Sequence, residues 1–105
     1  MIRAGFVKAN GRFKSFVVSG HAGYAESGSD IVCAAVSSAV QLTANAVTEV
    51  AGIKAKVQVN EDNIALTLPN GCESDAAELL IAALYLHLSL LAEDYNDAIQ
   101  VLTEE

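Results

Sequence analysis

At 105 residues, with 52% apolar residues and a net charge of −7, the chain has the size of one domain and material for a real core. That composition excludes intrinsic disorder, which needs few apolar residues. It also speaks against binding bare nucleic acid, since affinity for phosphates is built from Lys and Arg.

The charge is unevenly placed. Residues 1–20 carry Arg3, Lys8, Arg12 and Lys14 and no acid, while the remainder carries Lys54 and Lys56 against all 13 acids. Such a surface keeps a protein soluble and attracts basic partners. Two cysteines are too few for a disulfide framework. Met1–Gly11 alternates and contains charges, unlike a secretory leader. The apolar stretch 79–92 is broken by His87 and Ser89, and falls short of the ~20 residues that span a bilayer. These features predict one cytoplasmic domain over 1–105, with reduced thiols and no membrane contact.

In chain order, Ile2–Lys8 and Arg12–Ser19 are expected to be strands around Asn10-Gly11, a strong type I′ turn signal because both central residues need positive φ. Ala22–Ser29 is polar and punctuated by glycine, which predicts a loop. Asp30–Ala51 is dense in Ala, Val and Ile at helical length, with Ser29 or Asp30 as N-cap and Gly52 as stop. Lys54–Val59 and Asn63–Leu68 predict a second hairpin around Asn60-Glu61-Asp62. After Pro69-Asn70-Gly71, Ser74 or Asp75 caps a helix reaching to about Asp94, and Ala98–Thr103 predicts a last strand. The order ββαββαβ implies an α+β fold, a mixed or antiparallel sheet carrying two long helices on one face.

The chemistry-bearing stretch is Gly20-His21-Ala22-Gly23, followed by Gly28-Ser29-Asp30-Ile31-Val32-Cys33-Ala34-Ala35-Val36-Ser37. It places His21 at a strand end and Cys33 in the expected first turn of a helix, so imidazole and thiol are candidates to meet. The positive helix end stabilises the reactive thiolate, and the unpaired N–H groups there suit a developing oxyanion. Asp30, one turn before Cys33, is placed to cap the helix, to orient His21, or both. Ser37, one turn after it, is placed to donate a hydrogen bond. Against this stands a plainer reading. A cysteine in an Ala-rich helix is ordinarily a small core residue, and spacing alone favours that reading.

The same string resembles the signature of the ribosomal-processing cysteine protease family, known as Prp. Length and element order extend the resemblance over nearly the whole chain. It implies a Cys33–His21 dyad, with Asp30 and Ser37 at the family's conserved Asp and Ser positions. It further implies a homodimer that removes the N-terminal extension of the large-subunit ribosomal protein numbered twenty-seven, a basic precursor, through an acyl-enzyme. No cofactor or metal is implied. The glycines around Tyr24 predict a substrate loop, with Gly23, Tyr24 and Gly28 as candidates, that orders over bound peptide.

Other candidates are weaker. Cys72 and His87, fifteen residues apart in a turn and mid-helix, make a poor zinc pair. Leucines on several sides of 76–93 suggest a face that meets a second subunit. The rival function is a non-enzymatic dimeric module for ribosome assembly or peptide binding, in which His21 and Cys33 only pack. Thiol redox chemistry ranks last, for want of a Cys-x-x-Cys pair.

Overall fold

The chain reverses first at Asn10-Gly11, where φ is 55° and 77°. Two consecutive positive φ values give the turn the twist that antiparallel strands require. It joins β1 (Ile2–Ala9) to β2 (Arg12–Ser19), with a bulge between Val7 and Lys8. The computed structural model describes residues 1–20 and 26–105, with backbone alone for 26–30. Helix α1 follows (Glu26–Asn45), then β3 (Lys56–Val59), β4 (Asn63–Thr67), α2 (Asp75–Asp94) and β5 (Ile99–Glu104). The order is the expected ββαββαβ.

The five strands form one mixed sheet in the order β3-β4-β2-β1-β5. β5 runs parallel to β1, and the other pairs are antiparallel. Registered partners share a face, so cross-strand rows can be read directly. One row runs Ala4, Val18, Ile64, Val59; the next runs Phe6, Phe16, Leu66, Val57. These rows face the helices. Ala4, Phe6, Phe16, Val18 and Leu66 are buried against Val32, Val36, Val40 and Val47 and against Ala77, Ile81, Leu84 and Leu88 of α2. Phe6 stands edge-on to Phe13 and Tyr85 at 5.9 and 5.3 Å, a favoured aromatic geometry. The other sheet face, with Arg3, Val17, Thr67 and Leu102, is exposed.

The ends of the helices explain their lengths. Ser74 caps α2: its hydroxyl oxygen accepts from the Ala77 N–H at 3.1 Å. Phe13 N–H donates to Glu78 Oε2 at 2.8 Å, tying the first turn of α2 to β2. α1 does not stop at Asn45. It passes into one π-helical turn, Ala46–Val50, in which the Ala51 N–H reaches the Ala46 carbonyl at 2.8 Å. Gly52, at φ 69°, then ends it as expected.

The start of α1 differs from expectation. Residues 26–29, read as loop, are helical, so neither Ser29 nor Asp30 begins the helix. Val32, Val36 and Val40 anchor the helix to the sheet, and adding a turn to a formed helix costs far less than nucleating one. By length and apolar composition alone, Ile31–Val50 and Asp75–Asp94 would each suffice to cross a membrane. Each lays one apolar stripe on the sheet and leaves other apolar side chains outward.

Candidate active site

Cys33 is half-buried and packs against the edge of the core. Its helix turn is fixed by Val32 and Val36 on either side, both buried. Cys33 lines a groove of about 530 Å³ between α1 and the β3–β4 hairpin, a volume within the usual range for ligand sites. Ser37, Gln41 and Asn45 line the same groove. Residues four apart share a helix face, so Cys33, Ser37, Gln41 and Asn45 form one stripe along α1. Gln41 Nε2 donates to Ser37 Oγ at 2.9 Å, which holds the stripe's centre in place. Val36 and Val40 form the floor, and Val57, Val59 and Ile64 the opposite wall.

The groove is closed at one end by the hairpin turn. Asn60 Oδ1 accepts from the N–H groups of Asp62 and Asn63, both at 3.1 Å, so the turn is internally braced. Glu61 and Asp62 are the only charged side chains among the described lining residues. The Gly20 N–H donates to the Asp62 carbonyl at 3.1 Å, which joins this turn to the end of β2. Gly20 has φ 89°, and a Cβ there would collide with the Met1 carbonyl oxygen. Only glycine lets β2 end so close to the start of β1, at the point where the chain departs toward His21.

The structure sorts the sequence-derived candidates. Cys33 and Ser37 come together on one wall. Cys33 lies about two turns inside α1 rather than in its first turn. The helix dipole fades within the first turn, and interior N–H groups serve the helix itself. The expected first-turn activation and first-turn oxyanion donors therefore do not apply at Cys33. Gly28, expected in a substrate loop, belongs to α1, as does the backbone of Asp30. His21, Gly23 and Tyr24 lie outside the described residues, as does the 22–25 part of the expected loop. Cys72 and His87 line different depressions and do not converge. Among the described residues no three potential ligands cluster for a metal. Gln41 and Asn45 were not singled out from sequence, although two amide residues spaced four apart beyond Ser37, on the same helix face, are a readable signal.

Residues 1–100 match the family described as cysteine protease Prp. The chain belongs to the Prp cysteine protease family. A relative named ribosomal processing cysteine protease Prp, from Bacillus subtilis (strain 168), is 35% identical over 94 residues, covering 85% of this chain and 84% of its own. The crystal structure of SMU.848 from Streptococcus mutans superposes with TM-score 0.90 at 30% identity, covering 100% of this chain and 96% of that one. An essential ribosomal processing protease Prp from S. aureus, in complex with a covalently linked product peptide, has TM-score 0.89 at 23% identity, covering 98% and 99%. The fold of that Prp is this chain's five-stranded sheet with two helices, and the family places this chain among the cysteine peptidases.

Proposed function

We propose that this Prp-family protein is an endopeptidase that removes the N-terminal extension of the large-subunit ribosomal protein numbered twenty-seven, with Cys33 as nucleophile and His21 as base. One observation carries the reading: Cys33 sits on the wall of a groove of about 530 Å³, in a chain of a cysteine protease family. The B. subtilis relative is named for ribosomal processing, and the S. aureus structures hold a covalently linked product peptide and a substrate peptide.

In this mechanism His21 accepts the Cys33 thiol proton and the sulfur attacks the scissile carbonyl. His21 returns the proton to the leaving amine as the C–N bond breaks, which leaves a thioester. Water activated by His21 then hydrolyses the thioester, releasing the acid and restoring the thiol. With Cys33 set back from the helix end, activation of the thiol falls chiefly to His21. Asp30 is assigned to orienting His21, and Ser37 to supporting the site from the next turn. Gly23 and Tyr24 are assigned to contact with the substrate. The acidic groove end and the net charge of −7 favour a basic precursor over an acidic one.

The protein is further proposed to act in the cytoplasm as a homodimer. Leu42 of α1 is 71% exposed and Leu79 of α2 is 69% exposed. Leu42, Leu86 and Leu90 also line an apolar depression between the two helices, on the side away from Cys33. Pairing this face with a second copy would bury what the sheet leaves uncovered.

The test is incubation with the purified precursor, with mass spectrometry of its N-terminus. Wild type is expected to release one peptide, and Cys33→Ala to be slower by at least roughly 10³-fold. Undiminished cleavage by Cys33→Ala would overturn the assignment.

A further inference from the structure

The cross-strand rows of the sheet end abruptly at β3. Ala4, Phe6, Phe16, Val18 and Leu66 are all buried beneath the helices, yet the residues that close the same rows are not. Val57 is 37% exposed and Val59 is 70% exposed. Both point to the helix side of the sheet, because Val57 is registered with Leu66 and Val59 with Ile64. Among the described residues β3 pairs with β4 alone, so it is an edge. Two apolar side chains on the inner face of an edge strand, left uncovered by their own helix layer, invite an apolar occupant.

That occupant has to fit the rest of the groove. Opposite the valines, Gln41 and Asn45 present amides that both donate and accept, as the main chain of a peptide requires. The groove also has a direction. α1 follows the Gly20 end of β2, and β3 begins beyond the far end of α1. Cys33 and the Asn60–Asn63 turn therefore share one end, and Asn45 and Val57 the other. From Cys33 to Asn45 the helix rises ~18 Å, and an extended chain covers that in about five residues. Val57 and Val59 are two apart, matching the spacing of alternate side chains in an extended peptide.

Resting on the protease reading, we propose that the groove beyond Cys33 reads an extended stretch of about five substrate residues on one side of the scissile bond. Two alternate apolar side chains of that stretch close the sheet rows at Val57 and Val59, while Gln41 and Asn45 hold its main chain. These four residues are specificity determinants and take no part in bond making or breaking. The groove end at Glu61 and Asp62 disfavours an acidic side chain near the scissile bond.

Binding separates this inference from the chemistry. A fluorescent peptide of about fifteen residues spanning the processing junction of the proposed precursor is titrated against Cys33→Ala by anisotropy. Val57 and Val59 are surface positions, so Val57→Asp and Val59→Asp are expected to fold, with unchanged circular dichroism. Each should weaken binding by roughly tenfold or more. An Asp scan of the peptide should find two sensitive positions two residues apart on one side of the junction. Lys at one of them should restore binding to Val59→Asp. Cys33-dependent cleavage with unaltered binding by both Asp variants overturns the inference alone. A peptide that neither binds nor is cleaved overturns the protease reading and this inference with it. A change of oligomeric state in Val59→Asp, without loss of peptide affinity, assigns β3 to a second copy and overturns the inference.

Discussion

β1 and β2 run eight residues each and lie inside the sheet, whereas β3 and β4 run four and five residues and lead to its β3 edge. Each hairpin is followed by a 20-residue helix. The helices also differ. α2 is capped by Ser74, and its buried face of Ala77, Ile81, Leu84 and Leu88 packs into the core on the β2 and β5 side of the sheet. α1 buries Val32, Val36 and Val40 but turns a polar stripe from Cys33 to Asn45 toward the short hairpin. The long hairpin supplies the core that makes α1 rigid. The short one, whose edge strand β3 is left uncovered, supplies the groove wall. Stability and recognition are thus drawn from different strands of one sheet face, and substitutions should separate them.

The largest effect is expected at the long hairpin. Phe16 is fully buried, with the Phe6 ring 6.0 Å away. Phe16→Ala should cost about 3–5 kcal/mol in urea denaturation, enough to threaten a domain whose total stability is of the same order. A loss as small as that of a surface substitution would mean the first hairpin is not the core. Next comes the outer helix face. Leu42→Asp should weaken self-association by roughly tenfold or more in sedimentation while the Cys33 alkylation rate stays unchanged. A wild type that stays monomeric at micromolar concentration would remove the dimer. The smallest effect is Ser74→Ala, which deletes the cap of α2 and should cost about 1 kcal/mol in thermal unfolding. Because α2 contributes no residue to the groove, peptide affinity should not change; if it does, the two halves are coupled more closely than the lining suggests.

Much of this was legible in the residues because the signals were local. Asn10-Gly11 required its turn, Ser74 its cap and Gly52 its stop, each through backbone geometry set within a few residues. Element order followed from periodicity. What depended on distant partners was not legible. Residues 26–29 look like loop by composition, and become helix because the valines behind them are pinned to the sheet. That shift carried Cys33 inward by about a turn and removed the argument from the helix end. The exposure of Val57 and Val59 could not be read either, since it arises from strand order and from where the helices stop. For the site, the string around Cys33 sufficed to indicate the family, while the stripe through Gln41 and Asn45 was readable but weak. A polar residue every fourth position looks the same whether it faces water or a groove.

The two chain ends differ in what can be attached to them. Met1 abuts Gly20, and Ile2 lines the groove, so anything fused ahead of β1 emerges at its mouth. β5 runs parallel to β1, and its last residue in register, Glu104, pairs with Val7, far along the strand from Ile2. An affinity handle placed before Met1 would compete with the peptide for space, and one placed after Glu105 would trail from the opposite rim of the sheet. Immobilising the protein by its C-terminus leaves the groove open for substrate capture.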